Sequence, residues 1–304
     1  MAERCDLRRL GRVDALVTAV ACLLLVLLVP VLLAKPREQS VRVLCAANLS
    51  QIGKTMLLYA GDNEGVFPRP GGQWTQWGPT TNWMATSRTQ AFRMAPDASG
   101  GWATISSSFY LLVKYYQMPP RLFLCRGDRG AAAFNLSRLS ASLPPNFSLI
   151  DAWDFGPQDE SFRHCSFSYH YPYSHHPLTT SGDPNLAVAA DRNPFIEGSL
   201  GAYSELRLGD RLAPRYEILE GKYVGNAIAH GQDGQNVLFL DGRVTFETRP
   251  SCAVDGDNIY LVSIYGDRGS PGGIVPAVNR GGPYNERDSL LVNDPNSFSS
   301  GVKK

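Results

Sequence analysis

The stretch ALVTAVACLLLVLLVPVLLA, residues 15–34, holds no charged residue and is mostly Leu, Val and Ala. An α-helix crossing a hydrocarbon core needs about 20 such residues, and a helix satisfies its own backbone hydrogen bonds in lipid. Pro30 falls near the outer end, where a kink is tolerated. The competing reading is a cleaved signal peptide, whose apolar region runs roughly 7–15 residues and ends in a small-x-small site. Here the run is longer and Leu32-Leu33-Ala34 lacks that pattern, so an uncleaved anchor is expected. Arg4, Arg8, Arg9 and Arg12 precede the run; Lys35, Arg37 and Arg42 follow it. That bias places residues 1–14 in the cytoplasm and the bulk of the chain outside it. The expectation is a single-pass membrane protein, with the lipid bilayer as its first partner.

Beyond the run the helix is expected to continue. Val41, Leu44, Cys45, Ile52, Met56 and Tyr59 recur mostly at steps of three and four, an amphipathic pattern. Pro36 marks a bend or a fresh start, and Gly61-Asp62-Asn63-Glu64-Gly65 ends the helix with turn chemistry. Residues 68–102 are rich in Gly, Pro, Trp and Thr without a period and read as a long loop. A second helix is predicted over 106–117, stopped by Pro119-Pro120. Short strands are predicted at 122–125, 186–191 and 258–264, with another loop over 128–163. Asp241-Gly242, between two β-prone runs at 236–240 and 243–248, predicts a hairpin with a type I′ turn. In that register Val237, Phe239, Val244 and Phe246 share one face and meet the helix near Ile52 and Tyr59. The fold class expected is α+β: a long N-terminal transmembrane and amphipathic helix, then a loop-rich antiparallel β domain over 35–265. Residues 266–304, rich in Gly, Pro and Ser, are expected to form a flexible tail.

Charge is nearly balanced, with 29 Lys+Arg against 28 Asp+Glu in 304 residues. Such a chain makes no electrostatic case for nucleic acid. Four cysteines, Cys45, Cys125, Cys165 and Cys252, follow the apolar run. Outside the cytoplasm they permit two disulfides in three connectivities.

Several segments together resemble one bacterial group, the type IV pilin-like and type II secretion pseudopilin-like proteins with a C-terminal H-X9-DG-type signature. Cys45-Ala46-Ala47-Asn48-Leu49-Ser50-Gln51-Ile52-Gly53 resembles the group's C-x-x-N-L-x-Q-I-G stretch, and Tyr59, Asp62-Asn63 and Phe67-Pro68 continue it. Leu122-Phe123-Leu124-Cys125 with Asp128 resembles its C-P-S-D segment, with Arg126-Gly127 in place of Pro-Ser. Asp191-Arg192-Asn193-Pro194 resembles the segment before the signature. Residues 226–230 and 234–242, ending in Asp241-Gly242, resemble the signature itself, and Asp257-Asn258-Ile259-Tyr260 the closing strand. The chain departs in having ten residues, not nine, between His230 and Asp241, and Arg243 where the group has His. It also carries Leu10-Gly11-Arg12-Val13-Asp14 in place of the prepilin-peptidase site G-F-T-L-I-E.

The resemblance implies a non-enzymatic envelope protein related to a secretion pseudopilus, partnered with copies of itself or with other pseudopilus components. It implies that Cys45 pairs with Cys125, and that Gly11 and Asp14 mark the processing and assembly region. Asp14 is equally read as a carboxylate at the cytoplasmic boundary beside Arg12. Asn48, Gln51, His230, Asp241 and Gly242 are structural signature positions. His230 is expected to hydrogen-bond Asp241 or a backbone carbonyl and to close the loop entering the hairpin, since no nucleophile motif accompanies it. Asp255 and Asp257 are weak calcium candidates, read first as a plain turn because the EF-hand pattern is missing; no other cofactor is expected. His164, His170, His175 and His176 match no metal-ligand spacing, and Trp74, Trp77, Trp83 and Trp102 are read as anchors of the loop more than as sugar platforms. Two rival functions stand beside the first: a monomeric membrane-tethered module binding sugar or protein, and, more remotely, a membrane-anchored hydrolase.

Overall fold

The computed structural model describes residues 11–157, 160–196, 211–212, 218–219, 222–223, 225–264, 273–278, 282–296 and 298. At 12–14, 27–37, 140–141, 211–212, 218–219 and 222 it describes the backbone alone. The helices are α1 (Arg12–Asp62), α2 (Arg88–Phe92) and α3 (Ser106–Tyr116). The strands are β1 (Gln76–Trp77), β2 (Trp102–Ala103), β3 (Phe167–His170), β4 (Ala187–Asp191), β5 (Arg211–Leu212), β6 (Ile218–Leu219), β7 (Lys222–Tyr223), β8 (Gln235–Phe239), β9 (Val244–Glu247), β10 (Gly273–Ile274) and β11 (Leu291–Val292). The centre is a five-stranded sheet in the order β11-β3-β4-β8-β9, antiparallel at every step. Residues 1–41 and 42–304 form two separate compact units.

In the second unit, α1 buries Cys45, Leu49, Ile52, Met56 and Tyr59, while Leu44, Gln51 and Leu58 stay exposed. The three- and four-residue steps put the buried set on one stripe, as the sequence pattern requires. Burying each large aliphatic side chain of that stripe contributes about 1.5–3 kcal/mol. Gly53 lets the helix come close to the sheet: a Cβ there would lie 2.7 Å from Leu238 Cδ1 of β8. The helix ends where Glu64 and Gly65 turn left-handed and Gly65 N–H donates to the Ala60 carbonyl, which satisfies an orphan carbonyl of the last turn.

Tyr169 of β3 is in register with Ala189, and Ala189 with Leu238, so all three share the face toward α1. Tyr169 packs on Phe109 of α3 at 5.3 Å between ring centroids. The opposite face of the sheet carries Ala190, Val237 and Phe239 into a cluster with Phe195, Ile259 and Tyr260. The sheet is therefore covered on both sides, which explains why β3, β4 and β8 are buried at every position.

Several expectations are corrected. Among the described residues, no helix is long and apolar enough to cross a membrane. The expected transmembrane helix at 15–34 instead belongs to α1, a 51-residue helix that continues past Pro30 and Pro36 into charged sequence. Residues 120–123 form a 3-10 turn, not a strand, because Pro119-Pro120 fixes the entering backbone. Residues 258–264 contribute isolated bridges from Asn258 to Ser251 and from Val262 to Ile274. The expected tail is in part core: β11 is an edge strand of the central sheet, with Leu290, Leu291 and Val292 fully buried. A three-residue apolar run suffices to build it into an edge, whatever the Gly and Pro content around it.

The hairpin exists, but its register differs by one residue. Gly242 has φ +85° while Asp241 stays out of the left-handed region, so the type I′ turn is excluded. Phe239 N–H donates to the Arg243 carbonyl and Gly242 N–H to the Phe239 carbonyl, which makes a three-residue loop, Leu240-Asp241-Gly242. Leu238 then pairs with Val244 and Asn236 with Phe246. Val237 and Phe239 face away from α1, and Val244 and Phe246 share the other face with Leu238. One residue of slip between the strands thus puts the two pairs on opposite faces.

Candidate functional site

At the end of β4 four buried side chains converge from four distant parts of the chain. Cys45 comes from α1. Cys125 follows the 3-10 turn Pro120–Phe123 and is held by Asp128 N–H donating to its carbonyl. Asn48 Nδ2 donates to the Leu124 carbonyl at 3.0 Å and ties α1 to that turn. Asp191 ends β4. His230 lies in the 3-10 turn Ile228–His230, which stops at Gly231 with φ 65°. Cys45 and Cys125 form a disulfide with Cα atoms 5.2 Å apart, well inside the reach of such a bridge. The pairing implied by the resemblance is present.

His230 Nε2 lies 3.6 Å from Cys125 Sγ and 3.0 Å from Asp191 Oδ2. The Asp191 and His230 side chains are completely shielded from solvent. Asn236 clamps the carboxylate: its backbone N–H donates to Asp191 Oδ2 at 2.7 Å and its amide Nδ2 approaches the same oxygen and His230 Nε2, each at 3.2 Å. Phe246, in register with Asn236, stacks edge-on against His230 at 5.9 Å. Arg42 of α1 sits over the Phe246 ring at 4.4 Å and pairs with Asp233 at 2.6 Å. Asp191 Oδ1 and His230 Nδ1 are buried without a hydrogen-bond partner. Ligand atoms of Cys45, Cys125, Asp191 and His230 all lie within 4.8 Å of one another. Among the described residues this is the one such group of His, Cys, Asp and Glu.

The expected bond from His230 to Asp241 is replaced by the contact with Asp191. Asp241 is at the hairpin tip, where it accepts from Arg243 N–H and pairs with the Arg243 guanidinium. A tip residue beyond the register of β8 and β9 does not reach the turn before β8. The residues after Asp191 have separate tasks. Arg192 donates to the Cys165 carbonyl at 2.6 Å and lies 3.4 Å from Asp128. Asn193 Nδ2 donates to the carbonyls of Tyr260 and Leu291. Asp191 is the site residue that sequence reading missed as a member of the site; its signal was the Asp191-Arg192-Asn193-Pro194 segment.

Of the other candidates, Gln51 is exposed, with its carbonyl accepting from Thr55. Gly11 precedes α1 and accepts from Ala15 N–H. The Asp14 side chain lies outside the described residues. Cys165 and Cys252, expected as disulfide partners, are free thiols. Cys165 Sγ contacts the Phe167 carbonyl beside β3, whereas Cys252 packs on the apolar cluster of the far sheet face, and burial pushes the Cys165 thiol up to about 12. Asp255 pairs with Arg287 at 2.7 Å, and Asp257 accepts from Ser289 N–H at 2.8 Å. The histidines of 164–176 do not gather: His164 Nδ1 meets the Ala132 carbonyl, His175 packs on Trp74, and burial lowers buried His170 to about 4. Trp77 and Trp83 are buried anchors, while Trp74 and Trp102 keep exposed surface.

A second buried network, unforeseen from sequence, closes the start of α3. Asp294 accepts from the N–H groups of Ile105 and Ser106, both at 2.8 Å, and from Trp77 Nε1. A carboxylate there meets the positive end of the helix dipole. Asp154 accepts from Thr104, Ser106 and Phe155 N–H. Burial, then repulsion from Asp294, raises Asp154 to about 7.

Comparison with protein-family models, curated proteins and solved structures finds no match to this chain.

Proposed function

We propose that this chain is a structural, pseudopilin-like protein of the cell envelope that works on the oxidising side and associates with copies of itself or with similar subunits. The observation that carries the reading is the way the second half of α1 is built into the domain. It lies flat on a five-stranded antiparallel sheet and is stapled there by the Cys45–Cys125 disulfide. A structural disulfide supports an oxidising compartment. In the first unit, Leu16, Val17, Leu23 and Val26 of α1 are exposed. Exposed apolar side chains in a row support a surface that neighbouring subunits cover. His230, shielded and held by Asp191, supports a scaffold role over a general base, which must reach its substrate.

Cys22, an exposed thiol within the apolar run, is a native cross-linking handle. Cells producing the full chain, treated with a bis-maleimide, are expected to yield cross-linked dimers. Cys22→Ser is expected to lose them, and so is Leu16→Asp combined with Leu23→Asp. A wild-type chain that stays monomeric, or dimers indifferent to the two Asp substitutions, overturns self-association and leaves the monomeric binding module as the better reading.

A further inference from the structure

We propose that Cys45, Cys125, Asp191 and His230 form a redox-gated site for one zinc-class divalent cation, closed when the two sulfurs are bonded and open when they are reduced. The inference is independent of the assembly role, because it rests only on donors inside the 42–304 unit.

The donor set is two sulfurs, one imidazole nitrogen and one carboxylate oxygen, all buried. Thiolate with imidazole selects zinc over the hard cations, which take oxygen ligands, and four such donors suit its tetrahedral shell. Bonds of about 2.0–2.3 Å give tetrahedral edges of roughly 3.3–3.8 Å. His230 Nε2 is 3.0 Å from Asp191 Oδ2 and 3.6 Å from Cys125 Sγ, and no ligand atom of the four is more than 4.8 Å from another. Two edges are thus near their final length. The sulfurs must separate to about 3.8 Å, the edge of a zinc–thiolate pair, and the other three edges, each within 4.8 Å, must settle into the same range. With Cα atoms 5.2 Å apart, side-chain rotation supplies it.

Two further observations point to a ligand. Asp191 Oδ1 is buried without a partner, which is uncommon for a polar atom in an interior. Asn236 holds Asp191 through two donors, the arrangement by which an outer residue orients a metal-binding carboxylate.

The chemistry balances with an external dithiol as reductant. It gives two electrons and two protons to the Cys45–Cys125 bond and leaves as its own disulfide, so the chain holds two thiols. The cation then displaces both thiol protons and takes the lone pair of His230 Nε2 and one Asp191 oxygen. Reoxidation by a disulfide-bearing oxidant re-forms the Sγ–Sγ bond, expels the cation and reduces the oxidant to two thiolates, which take up two protons from solvent.

The test uses full-length chain carrying Cys22→Ser, reduced with a phosphine that is then removed, and Co²⁺ as the probe. Reduced protein is expected to bind one equivalent, with the visible bands of tetrahedral cobalt and thiolate-to-metal charge transfer, and Zn²⁺ is expected to displace it. Oxidised protein is expected to bind none. Asp191→Ala and His230→Ala are expected to lose the tetrahedral bands, and Asn236→Ala to weaken affinity by about 10–100-fold. A reduced chain that has unfolded is still informative, because binding at such a site drives folding. Recovery of circular dichroism on adding Zn²⁺, with Cys45 and Cys125 becoming resistant to alkylation, supports the site. A pale octahedral cobalt spectrum, bands unchanged in both ligand variants, or no recovery with Zn²⁺ overturns it.

Discussion

Replacing His230 by Ala tests whether the cluster at the end of β4 is a structural keystone. In the oxidised chain the imidazole fills a fully shielded position, 3.0 Å from Asp191 Oδ2, 3.6 Å from Cys125 Sγ and stacked on Phe246. An exposed loop histidine making one hydrogen bond is worth about 1 kcal/mol. A buried one is not equivalent. Truncation leaves the Asp191 carboxylate in a dry interior with Asn236 as its hydrogen-bond partner. Leaving a buried ionisable group without its partner typically costs about 1–3 kcal/mol, and more where the group is charged, and deleting a buried ring adds a cavity cost of similar size. The ring also leaves a cavity beneath Phe246. The expected loss is therefore about 3–5 kcal/mol, read as a lower urea midpoint at unchanged slope under non-reducing conditions. In Asp191→Asn the same histidine truncation is expected to cost clearly less, since the uncompensated carboxylate is gone. A loss of about 1 kcal/mol or less in the wild-type background, or equal losses in both, refutes the reasoning.

Cys45→Ser opens an 80-residue separation closed by the bridge. Loop entropy puts the cost at about 4–5 kcal/mol, and a non-reducing urea midpoint equal to wild type contradicts it. Asp154, raised from its ordinary 3.8 to about 7 by burial and by Asp294, has a folded pKa above its unfolded one. Its contribution is fully present below about pH 4 and is lost as pH rises through about 7, at about 1.4 kcal/mol per pH unit and on the order of 4 kcal/mol at most. Melting curves are expected to fall from pH 5 to pH 8 more steeply in wild type than in Asp154→Asn, and parallel curves rule this out. Gly242→Ala, at φ +85°, is expected to destabilise by about 1 kcal/mol. Asp241→Ala, at the hairpin tip, is expected to leave the His230 environment unchanged by NMR.

Much of the helical architecture was legible because it rests on local pattern. The buried stripe of α1 and the ending of α3 near Pro119 follow from periodicity and breakers. The hairpin was legible as an element but not in register. Asp-Gly marks a turn, and whether two or three residues form the loop depends on how β8 seats against β4 and α1. β3 was hidden because it is only four residues long and is central, so Phe167-Ser168-Tyr169-His170 carries its polar members, Ser168 and His170, into the interior along with the aromatic ones. β11 was hidden by its neighbours' composition. Asp191 was readable as a strand end, but its meeting with His230 is a tertiary fact, since the pairing of β4 with β8 sets it.

The end of β4 shows why these positions are coupled. Asp191 goes to the sulfur and imidazole cluster, Arg192 to the loops around Cys165 and Asp128, and Asn193 to the carbonyls of Tyr260 and Leu291 on the far side. Three consecutive residues thus join the helical layer, the turn after α3 and the apolar cluster. The segments meeting there begin at positions 45, 125, 191 and 230, and bringing distant segments together carries a loop-closure cost that grows only slowly with length. A covalent bridge removes most of that cost for Cys45 and Cys125. A cation held by all four donors would close three such loops at once. Disulfide and metal would then be alternative locks for one junction. On that argument the reduced, metal-loaded chain recovers much of the stability lost by reduction, whereas reduced Asp191→Ala recovers little.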